Sequence, residues 1–518
     1  MNIRKLTALA LGLCLLLSGC GKQKPSDSTP TTGESTPAPV EGATTIGLSD
    51  SGITVDGKTA SIDSAEAVYT AKDIVYYEAG KDFTYGEGTK ADEHTKEEAD
   101  RHTVVHITKP GVYAVSGKLS AGQIAVDLGE DAKKDPNAVV TLVLNGMDIT
   151  CTVAPAVIFY NVYECGSTDE DKATMAVDTS TAGANVVIAD GTENKVDGAY
   201  VARIYKSVEL NDAGTEVVDS KKLHKYDGAF YSKMSMNIYG GEKGDGKLDI
   251  TAANEGLDTE LHLTMLGGNI HIRSGNDGIN TNEDNISVTA IKGGTLNITV
   301  TGQTGEGDGI DSNGWLVIDG GTVIAAACGT SGDAGIDADK GVYIQGGTVV
   351  ATGNMLDHFE AAQTSVLFTF NGRQAGGQTY ALKQGDKTIL TATPANGFQY
   401  LILSSAELTE GVYQLYQGDL QLAGVASGMR EPMGGGMQPP EGMEKPENIQ
   451  PPAGMTPPEK PQGGDRPQMP EGMVPPQGMT PPPGGFQLPG NIQQPAGEAT
   501  KDFTFVKGYN AFAINGAV

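Results

Sequence analysis

The sequence predicts an all-β protein, built as a parallel β-helix of about 26 residues per coil with a small C-terminal β cap. Three observations carry this prediction. The chain of 518 residues holds 71 glycines but only 6% aromatic residues, a composition that favours short strands and tight turns. Glycine pairs recur every 26 or 27 residues. Each pair is followed by alternating apolar and polar residues, which predicts strands rather than helices.

The glycine pairs set the repeat. They are Gly240-Gly241, Gly267-Gly268, Gly293-Gly294, Gly320-Gly321 and Gly346-Gly347. After each pair, apolar residues occupy every second position, as Ile270 and Ile272 do, so one face of each strand should be buried. Equivalent positions of successive coils should then stack at the strand spacing of about 4.8 Å.

The chain begins with a targeting segment. Basic residues at Arg4 and Lys5 precede an apolar stretch that ends in Leu17-Ser18-Gly19-Cys20. This ending resembles the lipobox of bacterial lipoproteins, which implies a lipid on Cys20 and a location on the extracellular side of the bacterial cytoplasmic membrane. The alternative is a secretory signal cut near Gly19, which would leave Cys20 free.

Composition and pattern divide the chain into seven segments. They are a lipoprotein signal peptide (1–20), a flexible tether (21–45), an N-terminal region whose structure the pattern does not define (46–102), the β-helix (103–365), the C-terminal β cap (366–426), a disordered Pro/Gly/Met-rich insertion (427–500) and a terminal strand of the cap (501–518).

The charge of the chain limits its partners. Lys and Arg number 36 against 65 Asp and Glu, which gives a formal net charge of −29. Such a balance argues against nucleic acid as a partner and against electrostatic docking on anionic lipid. Contact with the membrane is therefore expected only through the lipid anchor, and an acidic surface suits cation binding.

A second column of residues repeats with the glycine pairs. Four segments, beginning at Glu255, Asp277, Asp308 and Ala334, share the pattern X-Gly-Leu/Ile-Asp/Asn. With the Leu or Ile pointing inward, the polar residues should share the outward face and form a ladder. The predicted metal ligands are Glu255, Asp258, Glu260, Asp277, Asn280, Asn282, Asp308, Asp311, Asn313, Asp337 and Asp339.

Calcium is the cation that this ladder predicts. Carboxylates stacked at strand spacing repel one another, and an ion between two rungs would reach oxygens on both. Oxygen ligands without His or Cys favour Ca²⁺ over zinc or copper. The alternative is a row of Asn/Asp turns whose short side chains cap their own backbone.

Four further residues are candidates for sugar binding. Trp315 and Tyr343 should face outward on neighbouring coils as a diagonal pair, and could stack sugar rings or merely pack on an adjoining loop. His271 and Arg273 alternate with buried isoleucines. Arg273 could bind a uronate carboxylate, or could neutralise the acidic ladder.

The remaining cysteines leave two interpretations open. Cys151, Cys165 and Cys328 follow the targeting segment. A Cys151–Cys165 disulfide suits an exported protein, and buried thiols in strands fit equally well.

Several motifs together resemble a known family. They are residues 111–117 (Gly-Val-Tyr-Ala-Val-Ser-Gly), 140–149, 188–194 and 308–314 (Asp-Gly-Ile-Asp-Ser-Asn-Gly), with the glycine-pair coils. They are similar to a bacterial family of secreted carbohydrate-binding proteins. The resemblance covers about residues 103–425, with 501–518 as a further part. It implies a right-handed parallel β-helix shaped like pectate lyases, bound calcium, and acidic plant polysaccharide such as polygalacturonate as ligand.

Three functions follow from these features. The first is a non-catalytic, monomeric, calcium-stabilised binder of polysaccharide at the cell surface. The second is an adhesin or structural stalk without a sugar ligand. The third is a calcium-dependent polysaccharide lyase, for which Arg273, Lys292 and Lys340 are the basic residues near the ladder. The sequence favours the binder, and its many carboxylates do not exclude a glycoside hydrolase.

Overall fold

The computed structural model describes residues 40–427 and 498–516. The signal peptide with Cys20, the tether up to residue 39 and nearly all of the Pro/Gly/Met-rich insertion lie outside the described residues. Within them, helix is confined to Lys96–Arg101 and the 3-10 turns Glu130–Lys134 and Glu170–Lys172. The prediction of an all-β protein is confirmed. None of the helices in the described ranges has the length and apolar character needed to cross a membrane.

Most strands belong to three ladders, in which equivalent strands of successive repeats pair in parallel. The strands of the first ladder are Val68–Ala71, Thr103–Ile107, Gly122–Asp127, Val157–Asn161, Gly228–Ser232, Glu255–Thr259 and Ile279–Thr281, and only its first pair is antiparallel.

The second and third ladders belong to one large sheet. The strands of the second ladder are Thr44–Leu48, Gly111–Leu119, Val140–Cys151, Ala184–Ile188, Met236–Gly240, Leu263–Met265, Val288–Ile291, Trp315–Ile318, Gly341–Ile344 and Phe359–Ala361. Those of the third ladder are Glu193–Gly198, Lys247–Ala252, Asn269–Ser274, Thr295–Val300, Thr322–Ala326 and Thr348–Gly353.

The strand Val140–Cys151 joins these two ladders. Its first half pairs with Ala184–Ile188 and its second half with Glu193–Gly198. Gly146, with φ +84°, lies between the halves. Only glycine adopts that conformation readily, so the strand can turn there from one ladder into the other.

The predicted inward alternation is present in the third ladder. Its register stacks Leu248, Ile270, Leu296, Val323 and Val349 in one column, and all five side chains are buried. The column belongs to a continuous apolar core shared by the three ladders.

The glycine pairs form the corners between the second and third ladders. The second glycine of a pair has positive φ in Gly268, Gly294, Gly321 and Gly347. A Cβ on Gly294 would lie 2.5 Å from the carbonyl oxygen of Gly268, so each corner stacks directly on the one before. Both the conformation and the close approach require glycine.

The N-terminal region extends the second ladder. Thr44–Leu48 pairs in parallel with Gly111–Leu119, and the short strands Thr54–Val55 and Lys58–Thr59 fold back antiparallel. The helix Lys96–Arg101 begins with a capping box between Thr95 and Glu98. The sequence pattern did not define this region.

The C-terminal strands form two connected sheets. Those that continue the large sheet are Ser365–Gln374, Phe398–Ser404, Ala423–Ala426 and Tyr509–Gly516. The others are Tyr380–Gln384, Lys387–Ala392, Gly411–Gln417, Leu420–Gln421 and Phe503–Phe505. Phe398–Ser404 pairs antiparallel with Thr348–Gly353, which ends the third ladder. A separate core rich in aromatic residues holds the C-terminal strands together.

A long antiparallel hairpin is formed by Val201–Leu210 and Val217–Tyr226. In the sequence it lies between Glu193–Gly198 of the third ladder and Gly228–Ser232 of the first.

The three cysteines that follow the targeting segment are free: Cys151 and Cys328 are buried, and Cys165 is half-buried. The sequence left a disulfide and free thiols open for Cys151 and Cys165, and the structure has free thiols.

Candidate functional site

The register of the first ladder brings the acidic segments together. Asp258 lies opposite Asn280. The chain continues beyond the last named strand of the ladder in the same register: the Asp311 N–H donates to the Ile279 carbonyl and the Asp337 N–H donates to the Ile310 carbonyl, each over 2.8 Å. Asp258, Asn280, Asp311 and Asp337 thus form one column of four rungs.

The glycine of each segment has a packing role. Leu257, Ile279 and their equivalents are buried in the core, as the pattern predicted. A Cβ on Gly278 would clash with Ile298 and lie 2.5 Å from the carbonyl oxygen of Gly309. Since Gly278 is not among the glycines with positive φ, it serves the close approach of two rungs rather than a turn.

The ladder is largely enclosed. Asp258 is fully buried, and Glu255 and Asp277 are only 5% and 8% exposed. The hairpin Val201–Tyr226 packs over this face. Lys222 Nζ lies 3.2 Å from a carboxylate oxygen of Glu260, and the ring of Tyr226 lies 5.2 Å from that of Tyr231. Farther along the ladder, Asp308, Asp311 and Asp337 are half-buried.

Amide side chains link the carboxylates of neighbouring rungs. Asn280 Nδ2 donates to Glu255 Oε1 over 3.2 Å and to Asn282 Oδ1 over 3.1 Å. Asn282 Nδ2 donates to Asp258 Oδ1, and Asn313 Nδ2 donates to the Asn282 carbonyl over 2.9 Å. These bonds occupy one oxygen of Glu255 and one oxygen of Asp258.

Two of the acids cap the backbone of the next repeat. The Asp308 N–H donates to Asp277 Oδ1 over 2.6 Å, and the Ala334 N–H donates to Asp308 Oδ1 over 2.5 Å. The turn-ladder interpretation expects side chains that cap their own backbone, whereas these bonds connect successive repeats. One oxygen of each of these two carboxylates therefore has a structural role in holding neighbouring repeats together.

Several oxygens remain without a donor. Among the described residues, Glu255 Oε2, Asp258 Oδ2 and Asn280 Oδ1 are buried and accept no hydrogen bond. Such acceptors cost free energy unless a proton or a cation satisfies them. One oxygen from each of Asp308, Asp311 and Asp337 also lies within 4.8 Å of the others. This all-oxygen donor set fits a hard cation such as Ca²⁺.

The electrostatics agree with this fit. Burial, then the neighbouring carboxylates, raise the pKa of Glu255, Asp258 and Asp277 well above the usual range. The same causes raise the pKa of Asp308 to about 10 and that of Asp337 to about 7. Without a cation the ladder therefore holds protons at neutral pH, because several adjacent buried carboxylates cannot all ionise.

Sequence reasoning missed two acids of this site. Asp227 lies beside the first rung, 3.1 Å from Lys225 of the hairpin. Its Asp-Gly dipeptide repeats the acid-glycine signature, which could have revealed it. Asp357 shares a side-chain hydrogen bond with Asp337, and its Oδ2 accepts from the Ala338 N–H over 3.2 Å. No repeat signal marks Asp357.

The predicted sugar contacts lie on the other ladders. Trp315 and Tyr343 are offset by two residues in the second ladder, as predicted, because Trp315 faces Gly341 and Val317 faces Tyr343. Trp315 and Val177 both pack against a small buried cluster of Val288, Ala290 and Val317. Sugar stacking and packing on an adjoining loop both stay predictions for Trp315.

His271 and Arg273 are exposed on the third ladder. His271 Nδ1 lies 3.5 Å from Asp249 Oδ1, and Arg273 lies between Thr251 and Thr299. Among the described residues, no hydrogen bond or ion pair joins Arg273 to the acidic ladder. Both side chains thus belong to a different ladder from the predicted metal ligands.

Comparison with known proteins gives the family. A family model described as carbohydrate-binding domain-containing protein matches residues 101–397, which is more than half of the chain. The chain belongs to this family. The matched residues include every rung of the acidic ladder and parts of all three parallel ladders.

One curated protein and one solved structure are similar to this chain. A protein of the same description from Acetivibrio thermocellus is 29% identical over 171 residues, which are 33% of this chain and 45% of the relative. The match thus spans less than half of that relative's length. A solved structure, the polysaccharide lyase-like protein from C. thermocellum in a gadolinium derivative, is 21% identical, with 59% of this chain and 90% of that chain covered and a TM-score of 0.35.

Proposed function

We propose that this chain is a non-catalytic cell-surface protein that binds acidic polysaccharide such as polygalacturonate, with calcium bound along the acidic ladder. The observation that carries the proposal is the set of buried oxygens without donors on Glu255, Asp258 and Asn280. Membership of a carbohydrate-binding family supports the polysaccharide. The lipobox-like ending at Cys20 supports a lipid anchor on the extracellular side of the membrane.

The ladders are proposed to be the three faces of a right-handed parallel β-helix. Each repeat contributes strands that pair with equivalent strands of the next repeat, as Asn269–Ser274 does with Thr295–Val300. Parallel strands of one sheet are joined by right-handed crossovers in about 98% of cases. The cation ladder then runs along one face of the solenoid.

Two kinds of calcium site are proposed. The first lies at Glu255, Asp258 and Asn280, where the enclosed oxygens leave no access for a glycan, so an ion there would stabilise the fold. The second lies at Asp308, Asp311 and Asp337, which are half-buried. Calcium takes about 6–8 oxygens, so three carboxylates leave positions for a uronate carboxylate at the second site.

Isothermal titration calorimetry with an oligogalacturonate tests this proposal, with the chain in millimolar calcium and again after metal removal verified by elemental analysis. We expect binding in calcium and an affinity at least about tenfold lower without it. Without a bridging ion, the carboxylates of the ladder would repel the uronate carboxylates of the ligand. Asp311→Asn should weaken binding in calcium. The matched control is Asp319→Asn, an exposed acid at a glycine corner outside the acidic ladder, which should bind as the parent does.

The other outcomes identify the competing functions. Calcium uptake without retention of any acidic or neutral glycan would indicate the stalk or adhesin. Unsaturated uronides, detected by their ultraviolet absorbance after incubation with pectate and calcium, would indicate the lyase. Equal affinity with and without calcium would refute the bridging role of the ion.

A further inference from the structure

A cavity of about 240 Å³ opens along the first three glycine corners, between the second and third ladders and away from the acidic column. Its side-chain walls are Tyr239, Leu266 and Thr295, and its floor is glycine backbone. None of the residues that line it is charged, in a chain whose net charge is −29. The cavity is therefore electrostatically distinct from the acidic ladder.

The apolar wall is not explained by the corner geometry. The residue before the glycine pair is Tyr239, Leu266, Lys292, Asp319 and Gln345 in successive repeats. The last three are polar, and Leu266 is 43% exposed. Coil stacking explains the glycines at every corner. It does not explain why an aromatic residue and an exposed leucine stand next to each other at the two corners that wall the cavity.

The floor of the cavity cannot carry side chains. A Cβ on Gly240 would lie 2.6 Å from the backbone nitrogen of Gly268, and one on Gly267 would lie 2.9 Å from that of Gly240. Close coil stacking thus leaves a flat strip of backbone at the base of the cavity. A flat ligand can lie directly on such a strip.

The rim of the cavity is held in place by reciprocal hydrogen bonds. Asp190 accepts from the backbone N–H groups of Lys243 and Gly244, each over 3.0 Å. Asp245 in turn accepts from the Gly191 N–H over 2.8 Å. These bonds fix residues 243–245 before any ligand arrives, and such preorganisation lowers the entropic cost of binding. They also engage the acids nearest to the cavity.

We propose that this cavity is a second glycan subsite, which binds one pyranose ring of a neutral polysaccharide. The apolar C–H face of the ring would pack on Tyr239 and Leu266, and the hydroxyls would reach Thr295 and the glycine backbone. The uncharged lining favours a neutral sugar over a uronate, since none of the residues that line the cavity is basic. The volume is below the range of about 300–1,000 Å³ typical of drug-sized ligands and suits a single ring.

This subsite differs from the acidic ladder in both ligand and metal requirement. It contains no free carboxylate, so its binding should not depend on calcium. It shares with the proposed function only the premise that the chain binds glycan. Binding of hexagalacturonate in calcium tests the ladder, and binding of neutral sugars to metal-free protein tests the cavity, so the two can fail separately.

Calorimetric titration of the metal-free chain with cellohexaose, xylohexaose and mannohexaose tests the subsite. We expect at least one of them to bind. Tyr239→Ala should weaken that binding by at least about tenfold, because the stacking surface is lost. Tyr239→Phe should bind as the parent does, since the ring remains. Gln345→Ala changes the equivalent corner outside the cavity and should have no effect.

Two results would overturn the subsite. One is that no neutral hexasaccharide binds the parent chain. The other is that Tyr239→Ala binds as tightly as the parent. If Tyr239→Ala does not fold, as judged by its melting curve, Leu266→Arg replaces it, because position 266 is exposed and a long side chain there fills the cavity. Undiminished binding by folded Leu266→Arg also overturns the proposal.

Discussion

The free energy of unfolding of the metal-free protein should fall as the pH rises from about 5 to about 8. Burial and the neighbouring Asp357 raise the pKa of Asp337 from its ordinary 3.8 to about 7. The folded state therefore holds a proton that the unfolded state releases above about pH 4. Stability is present below the unfolded pKa and is lost as the pH rises through the folded value.

The contribution of Asp337 to this decline follows from the shift of its pKa. About three pKa units at about 1.36 kcal/mol each give about 4 kcal/mol, of which about 3 kcal/mol falls between pH 5 and pH 8. An unfolding entropy of about 2.1 cal/mol/K per residue over roughly 400 residues converts this to a melting temperature lower by about 3–4 °C. Calcium bound as proposed would displace the proton and stabilise the carboxylate, so the decline should flatten when calcium is present.

Scanning calorimetry of the metal-free chain at several pH values measures the decline. Asp337→Asn lacks the proton that titrates at position 337 and should lose less stability over this range than the parent. Asp319→Asn changes an exposed acid and should follow the parent. If the metal-free parent and Asp337→Asn have the same dependence on pH, the reasoning from buried carboxylates is wrong.

Two further predictions concern packing and thiols. Gly278→Ala should lower the melting temperature by several degrees, because its Cβ clashes with the next rung, whereas Gly332→Ala meets no atom within 4 Å and should not. In mass-spectrometric mapping of alkylation, Cys165 should react before Cys151, although slowly, since burial raises their pKa values to about 11 and about 12. Modification of native Cys151 first would contradict the packing.

The sequence predicted the repeating parts of the molecule because repetition fixes register. Glycine pairs 26 or 27 residues apart place Ile270 above Leu296 without any knowledge of the rest of the chain. The same argument aligned Asp258 with Asn280, since both follow an inward residue by one position. Local alternation and a fixed period are enough for such contacts.

The enclosure of the ladder could not be predicted in this way. Asp258 is buried because a hairpin of irregular sequence, some 40 residues upstream, folds over it and contributes Lys222 and Lys225. Asp357 joins Asp337 from a segment without the repeat pattern. Both contacts depend on non-repeating chain, where neither period nor alternation indicates a partner. The pairing of Thr44–Leu48 with Gly111–Leu119 could not be predicted for the same reason.

The charges of the hairpin bear on where a cation is most needed. At the upstream end of the ladder, Lys222 and Lys225 pair with Glu260 and Asp227, so protein side chains compensate part of the negative charge there. At the downstream end, Asp308 and Asp337 form no ion pair with a basic residue of the described chain. Protonation or a bound cation must therefore balance these carboxylates. Because this end is also the more accessible one, the position where calcium is needed most is the position where a ligand can reach it.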